Sequence, residues 1–318
     1  MKNFEQICKM TQFELKNHMY EFLTNNDYIV ANENGFLYAN PKKDRIPVLL
    51  VAHMDTVHRE ICKDIVNENG KLSSPQGIGG DDRCGVYMIM NIVKELHCPV
   101  LLTEDEEVGG VGARKFTASK YTKELNINYM IEFDRKGSND AVYYSCDNKT
   151  FKAFIEENTD LKEAQGTYSD ISTIMPATKT AGVNISCGYY NAHTPVEYVI
   201  FDEMLHIIEM AKELIKVNPE THFEYVAKTY SNFDYSDRWG QTSLFDGRYS
   251  SFNSRYTSKR GKVTADDIEL ELEVVWNDFD GREDVCTCYG KTKAECWFNF
   301  FMENPEVCFD MVSDYSWN

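Results

Sequence analysis

The chain has 318 residues, of which 42% are hydrophobic and 26% are charged, so its composition excludes a wholly disordered or fibrous protein. The length accommodates one large domain with a small appendage, or two modest domains. An excess of 51 acidic over 33 basic side chains gives a formal net charge of −18, which repels nucleic-acid phosphates and anionic lipid surfaces. We therefore expect neither a nucleic acid nor a membrane as partner.

The first two thirds of the chain predict strands that alternate with helices. Helices are indicated by apolar residues spaced three and four apart, and strands by short apolar runs between turn residues. The predicted elements are a helix at 4–23, a hairpin of strands at 28–31 and 36–39, a buried strand at 47–52, a helix at 86–96, strands at 99–103, 129–133 and 181–187, and a helix at 201–217. This order predicts an α/β fold with a mixed, mostly parallel sheet sandwiched by helices.

The composition changes after about residue 222. Residues 229–262 are rich in Ser, Tyr, Phe, Arg and Gly without a sustained period, which is typical of a flexible connector. Alternation of apolar residues with Glu over 268–274 predicts a strand, and Thr292 to Glu295 matches a capping box that opens a helix through Phe301. The predicted division is a main domain at 1–222, a flexible linker at 223–262 and a small C-terminal α+β module at 263–318.

The amino terminus and the cysteines predict a cytoplasmic protein. The first residues lack the basic stretch and apolar run of a secretory peptide, and no apolar stretch reaches the ~20 residues that span a bilayer. Ten cysteines are scattered through the chain without the dense spacing of a disulfide-stapled scaffold, which favours reduced thiols. The spacing of the last four cysteines is also too irregular to favour a structural zinc site.

Polar clusters follow predicted strands or open predicted helices along the main domain. They are His53-Met54-Asp55, Gly79-Gly80-Asp81-Asp82-Arg83, Asp105-Glu106-Glu107-Val108-Gly109, Glu132-Phe133-Asp134 and Asn191-Ala192-His193. Each alone is equally typical of a surface pair, a helix cap or a solvated run. Because functional groups in such sheets gather beyond the carboxyl ends of the strands, the clusters together predict a single site.

The residue types in these clusters suit two zinc ions. Zinc accepts imidazole nitrogen and carboxylate oxygen, and two ions ~3.5–4 Å apart need a carboxylate that bridges them. The predicted ligands are His53 and Asp134 on one ion and Glu107 and His193 on the other, with Asp81 as the shared bridge. Three protein ligands on each ion is the count typical of catalytic rather than structural sites.

Two further carboxylates have predicted supporting roles. Asp55 lies two residues after His53, on the same side of an extended chain, and would accept the second imidazole N–H to fix its tautomer. Glu106 stands beside the ligand Glu107 but points elsewhere, which makes it the predicted general base.

The complete ordered set of motifs resembles the co-catalytic dizinc exopeptidase superfamily, which includes peptidase T, carboxypeptidase G-type enzymes and the dizinc aminopeptidases. The segments 103–109 and 188–193 are especially similar to peptidase T. The resemblance spans about residues 1–217 and implies the zinc exopeptidase fold, two Zn²⁺ ions and the ligand set given above, with Co²⁺ or Mn²⁺ also tolerated by such ligands. It further implies that Ser169-Asp170 supports the site.

Some choices stay open within this resemblance. Asp82 could bridge in place of Asp81, and Glu132 lies on the same strand face as Asp134. Relatives insert a lid domain either between the residues equivalent to Asp134 and His193 or between the first histidine and the bridge, and here only 58 and 27 residues intervene. The resemblance therefore implies a catalytic domain without a lid.

The implied function is that of a zinc-dependent metallopeptidase hydrolysing amide bonds of short peptides, by water activated between two metals with Glu106 as general base. Asp134 rather than Glu at its position, and the missing lid, imply an aminopeptidase. One alternative is an N-deacylase or carboxypeptidase-type amidohydrolase, for which N-acyl amino acids would be substrates. Another is a catalytically retired metal-binding interaction module, against which the intact Glu106 argues. The sequence does not predict the oligomeric state.

Overall fold

The computed structural model describes residues 1–217 and 220–228, together with the backbone of three strands at 270–277, 283–290 and 312–317. The chain separates into two units, Met1–Thr229 and Tyr230–Asn318. Most of the predicted linker at 223–262, and the whole predicted helix at 292–301, lie outside the described residues. The predicted division into domain, linker and module therefore stays a prediction.

The first unit contains eight helices and twelve strands within the described residues. The helices are α1 (Lys2–Cys8), α2 (Gln12–Asn25), α3 (Gly80–Ile92), α4 (Val111–Ala118), α5 (Lys120–Glu124), α6 (Lys149–Asn158), α7 (Asp170–Thr178) and α8 (Phe201–Val217). The strands are β1 (Tyr28–Glu33), β2 (Phe36–Pro41), β3 (Val48–His53), β4 (Val66–Glu68), β5 (Lys71–Ser73), β6 (Val100–Thr103), β7 (Tyr129–Arg135), β8 (Asp140–Val142), β9 (Lys162–Ala164), β10 (Gly182–Ser186), β11 (Tyr189–Tyr190) and β12 (Tyr198–Ile200).

The amino-terminal segment forms two helices, so the prediction of one helix over 4–23 is wrong. The Thr11 hydroxyl accepts a hydrogen bond from the backbone N–H of Glu14 at 3.1 Å. The Glu14 carboxylate accepts one from the Thr11 N–H at 2.9 Å. This reciprocal capping box starts α2 afresh, and its Thr-x-x-Glu signal is present in the sequence.

The main sheet has eight strands in the order β1-β2-β6-β3-β7-β10-β8-β9. The four central strands, β6, β3, β7 and β10, run parallel. Antiparallel pairings attach the β1–β2 hairpin to β6 on one side and β8 to β10 on the other. The predicted α/β fold with a mixed, mostly parallel sheet is confirmed, and the central strands bring their carboxyl ends to one edge.

The core lies around β3 and α3. All six residues of β3 are buried, as the continuous apolar run before His53 predicts. Helix α3 is buried on nearly all sides. It packs against β3 and β7 of the sheet and also against helices α1 and α8. It begins at Gly80, six residues before the predicted start, and the backbone of Asp81 and Asp82 in its first turn departs from helical angles.

Two smaller sheets complete the described structure. In the first unit, β11, β12, β5 and β4 form an antiparallel sheet. In the second unit, β13 (Leu270–Asn277) lies between β14 (Glu283–Gly290) and β15 (Val312–Trp317), with both pairings antiparallel. The strand predicted over 268–274 is confirmed and begins at Leu270.

Candidate metal centre and active site

The predicted site residues come together at the carboxyl ends of the central strands. His53 is the last residue of β3, and Asp134 is the penultimate residue of β7. Glu106 and Glu107 lie in the loop that follows β6, and His193 lies between β11 and β12. Parallel strands thus gather side chains that are up to 140 residues apart in the sequence.

The predicted metal ligands form two groups that share Asp81. Asp81 Oδ1 lies 3.1 Å from His53 Nε2, and Asp81 Oδ2 lies 3.2 Å from His193 Nε2. Asp134 Oδ1 is 3.6 Å from His53 Nε2, and Glu107 Oε1 is 3.1 Å from His193 Nε2. Within each group of three, the potential ligand atoms all lie within 4.8 Å of one another. The arrangement matches the two predicted triads.

Asp82 faces away from both triads. Its carboxylate accepts hydrogen bonds from the backbone N–H of His53 at 3.2 Å and of Gly85 at 2.8 Å, and the residue is fully buried. Asp82 therefore ties the end of β3 to the first turn of α3. Its engagement with backbone amides favours Asp81 as the shared ligand.

Asp55 links the two ligand-bearing loops. Its Oδ1 lies 3.2 Å from His53 Nδ1, while its carboxylate accepts hydrogen bonds at 3.0 Å from the backbone N–H groups of Glu106 and Glu107. Burial alone would raise the pKa of Asp55, but its hydrogen bonds to His53 and to these amides lower it. An ionised Asp55 fixes the proton on Nδ1 and leaves Nε2 to face Asp81.

Glu106 lies beside the first histidine in a half-buried position. One of its carboxylate oxygens, the ligand atom of Glu107 and a ring nitrogen of His53 lie within 4.8 Å of one another. Burial raises the pKa of Glu106 well above its usual range, the nearby His53 opposes that shift, and the charge of Asp134 adds to it. A carboxyl group with a raised pKa is suited to taking up a proton near neutral pH.

A hydroxyl group connects the alternative ligand Glu132 to Asp134. The Ser169 hydroxyl hydrogen-bonds the Glu132 carboxylate and lies 3.1 Å from Asp134 Oδ2. The other oxygen of Glu132 accepts from the N–H of Ile171 at 3.3 Å. Burial, with the charges of Asp134 and Asp170, raises the pKa of Glu132 well above its usual value. Glu132 is therefore turned to the start of α7 and supports Asp134 through Ser169.

The backbone of Asp134 is held by a side chain that the sequence did not single out. Asn184 accepts the Asp134 N–H at 2.9 Å and donates to the Asp134 carbonyl at 2.8 Å. This pair of bonds stands where the register between β7 and β10 shifts, between Asn184 and Ser186. The phenol of Tyr189 also donates to Asp134 Oδ1 at 3.3 Å. The sequence signal for this support is an Asn inside an apolar strand pattern, because such a residue is buried and needs hydrogen-bond partners.

The electrostatics of the site fit bound cations. Burial and the charge of Asp81 raise the pKa of Asp134 to about 6 and that of Glu107 to about 7. Glu107 Oε1 is buried and accepts no hydrogen bond, although His193 Nε2 lies close to it. Among the described residues, only histidines form ion pairs with these three carboxylates. Such clustered carboxylate and imidazole donors fit a pair of divalent cations.

A family model matches nearly half of the chain. Residues 34–183 match the model described as Peptidase family M28. These residues include four of the five predicted ligands, together with Asp55 and Glu106. A search of curated proteins gives no match.

Solved structures share the fold of the first unit. The aminopeptidase PepT from Bacillus cereus ATCC 10987 is 14% identical with a TM-score of 0.57, and the match covers 67% of this chain and 96% of that one. A tripeptidase from Staphylococcus aureus subsp. aureus Mu50 is 13% identical with a TM-score of 0.57, covering 69% and 97%. The TET1 peptidase of Pyrococcus horikoshii is 13% identical with a TM-score of 0.51, covering 67% and 97%. The predicted resemblance to peptidases of this kind is confirmed at the level of the fold.

Proposed function

Starting from the match of residues 34–183 to peptidase family M28, we propose that the chain is a two-metal aminopeptidase that hydrolyses short peptides. One observation carries the proposal: the two oxygens of the Asp81 carboxylate face different histidines, His53 at 3.1 Å and His193 at 3.2 Å. One ion would need only one of these oxygens. Two ions ~3.5–4 Å apart need a carboxylate that offers one oxygen to each.

The proposed ligands divide into two sets. His53 and Asp134 hold one ion and Glu107 and His193 hold the other, with Asp81 common to both. When bound, two such ions polarise a carbonyl group and lower the pKa of water, which is the chemistry that amide hydrolysis requires. Of the predicted alternatives, neither Asp82 nor Glu132 is needed as a ligand.

Glu106 is the proposed general base. Its carboxylate takes the proton of the attacking water and later gives it to the departing amine, so its pKa must lie near the working pH. Burial raises the pKa of Glu106 in the required direction. Asp55 positions Glu106 in addition to His53, because it accepts the backbone N–H of Glu106 at 3.0 Å.

The proposed direction of cleavage rests on surplus carboxylates near the site. Asp170 is 1% exposed, and its Oδ1 accepts no hydrogen bond, while its other oxygen is bonded by the Thr103 hydroxyl. Burial raises the pKa of Asp170 to about 7. An ammonium group of a substrate would stabilise the ionised form of such a carboxyl group, which supports recognition of a free amino terminus.

The proposal is tested by elemental analysis followed by a substrate screen on the full-length protein. We expect about two zinc ions per chain, with cobalt or manganese restoring activity after chelation. Peptides with a free amino end should be cleaved whether or not the carboxyl end is amidated, and acetylated peptides should be poor substrates. Preference for acetylated peptides would replace the aminopeptidase with an N-deacylase. Binding of fewer than two ions per chain would overturn the two-metal site.

A cytoplasmic location is part of the same proposal. The described cysteines are all unpaired and buried, as in a reducing compartment: Cys8, Cys62, Cys84, Cys98, Cys146 and Cys187. Within the part of the chain that the structure describes, helices are either too short or too polar to cross a bilayer. We also propose that 1–222 is the catalytic domain, 223–262 a linker and 263–318 a separate module, on the composition of these segments.

A further inference from the structure

Glu197 is a fully buried acidic residue with no assigned role. It lies four residues after His193, in a turn closed by a hydrogen bond of 3.1 Å from the Glu197 N–H to the carbonyl of Thr194. Glutamate is almost never fully buried unless its charge has partners, because removing an ionised carboxylate from water is costly. The partners of Glu197 therefore indicate why it is there.

All the partners of Glu197 lie on segments that carry the metal centre. Oε1 accepts the backbone N–H of Asp81 at 3.0 Å. Oε2 accepts the N–H of Gly79 at 2.9 Å and lies 2.7 Å from His58 Nε2, which must donate to a carboxylate. Hydrogen bonds from three donors to an ionised acceptor are among the strong ones in proteins.

The local sequence makes room for these bonds. Gly79 has a φ of +66°, a conformation that glycine adopts without strain. A β-carbon at Gly80 would lie 2.8 Å from Tyr189 Cβ and 3.3 Å from Glu197 Oε1. A side chain at position 80 would therefore push the carboxylate away from the N–H of Asp81.

The hydrogen bonds of Glu197 join three segments: the loop after β3, the first turn of α3 and the turn that carries His193. We propose that Glu197 is a positioning residue that fixes the Asp81 carboxylate between the two ions. The inference rests on the proposed function, in which Asp81 is the shared ligand. Glu197 acts through the backbone of Asp81, since its oxygens are already bonded to amide and imidazole donors.

Two substitutions separate this role from simple stabilisation. Glu197→Gln keeps the shape but replaces one oxygen with an NH₂ donor, so in either orientation a donor faces the N–H of Gly79 or Asp81. Glu197→Asp keeps the charge but shortens the side chain by one methylene, so it cannot reach both amides at their present distances. Both changes should shift Asp81 without replacing any of the five proposed ligands.

The test measures zinc affinity of the full-length variants with chelator-buffered zinc, together with the visible absorption of the Co²⁺-loaded proteins. We expect both ions to bind about 10–100-fold more weakly in Glu197→Gln, as for other residues that orient ligands. The Co²⁺ spectrum should change, and kcat at saturating metal should fall more than KM changes. If Glu197→Gln fails to fold, the same measurements on Glu197→Asp decide the matter.

The matched control is Asn148→Ala. Asn148 Oδ1 also accepts a backbone N–H, that of Phe151 at 3.0 Å, and its amide donates to the carbonyl of Glu224 at 2.8 Å. This variant should lose thermal stability but keep the zinc affinity and Co²⁺ spectrum of the wild type. A Glu197→Gln protein that behaves like the control would overturn the positioning role. A wild-type protein that binds fewer than two ions would instead remove the proposed function on which this role rests.

Discussion

Two partly buried glutamates in the loop after β6 differ in the groups that compensate their charge. Glu104, 16% exposed at its side chain, forms an ion pair with Lys16 and accepts the N–H of Gly35 at 2.9 Å. Glu107, 8% exposed and three residues later, has an oxygen that accepts no hydrogen bond, and burial raises its pKa to about 7. The first carboxylate is paired with a lysine and a backbone amide, whereas the ion-pair partner of the second is the imidazole of His193.

The difference extends to the regions around each glutamate. Lys16 also donates to the carbonyl of Glu33 at 2.6 Å, so the pair with Glu104 joins α2, the β1–β2 turn and the loop after β6. Around Glu107, the neighbouring carboxylates of Asp81 and Asp134 form ion pairs only with histidines among the described residues. We infer that the Lys16 region stabilises the fold, and that the Asp81 region is completed by cations. The predictions below test that contrast.

The largest effect is expected at the shared ligand. Asp81→Ala removes one oxygen from each proposed metal shell, so binding of both ions should weaken together and hydrolysis should fall below detection. Elemental analysis and a peptide-cleavage assay measure the two losses. Asp82→Ala provides the contrast: it should lower stability more than metal content, because the Asp82 carboxylate accepts only backbone amides. Full metal content in Asp81→Ala would dismiss Asp81 as the bridge.

The next effect separates catalysis from metal binding. Glu106→Gln keeps the size of the side chain but cannot take up the proton of water, so turnover should fall by about 10²–10⁴. The zinc content and the thermal unfolding temperature should stay close to those of the wild type, since Glu106 is not among the proposed ligands. Calorimetry, elemental analysis and steady-state kinetics give the three readouts. Turnover near that of the wild type would remove Glu106 from the mechanism.

A smaller effect is expected in the stabilising region. Lys16→Met keeps the apolar stem of the side chain but leaves the Glu104 carboxylate without its cation. Removing one partner of a partly buried charged group costs about 1–3 kcal/mol, and Glu104 keeps the N–H of Gly35, so the free energy of unfolding should fall by about that amount in urea titrations. Zinc affinity and turnover of the folded variant should be unchanged. Loss of bound zinc in Lys16→Met would show that the two regions are not independent.

The last effect is a pH dependence of the metal-free protein, which needs no substitution. The raised pKa values of Asp134, about 6, and Glu107, about 7, mean that the folded state binds more protons than the unfolded state between about pH 4 and 7. The free energy of unfolding should therefore decrease as pH rises through this window, by a few kcal/mol. Urea titrations at pH 5 and pH 7 in chelator measure it. Bound zinc should make the free energy of unfolding less dependent on pH, because it replaces the protons. A metal-free protein that is more stable at pH 7 than at pH 5 would contradict the raised pKa values of Asp134 and Glu107.

Much of the candidate site follows from local sequence. Hydrophobic patterns predict the buried strand that ends in His53. They also place polar residues after β6 and at the end of β7. The α/β topology then places these residues at one edge of the sheet. Patterns also predict the β1–β2 hairpin, because an apolar run on each side of an Asn-Gly turn is a local signal.

The supporting residues depend on contacts that local patterns do not contain. Glu197 reaches Asp81 across 116 positions of sequence, and Asn184 reaches Asp134 across 50. The sequence predicts Asp81 as the bridge but leaves Asp82 open, because neighbouring positions in a sequence do not reveal the direction of each carboxylate. The break between α1 and α2 was readable, since Thr11 and Glu14 form a capping box, but the apolar periodicity continues through it.

The bonds between Asn184 and the backbone of Asp134 have a consequence for how the protein is made. During synthesis, β7 leaves the ribosome about 50 residues before Asn184, and the last proposed ligand, His193, follows only after that. Chains fold from the amino terminus as they grow, but a site built from such distant segments forms only when the final one arrives. A nascent chain that ends before β10 would hold Asp134 without its two bonds to Asn184 and would lack His193 altogether. We therefore expect ions to be taken up after the ribosome has completed the first unit, from whatever metals the compartment then offers.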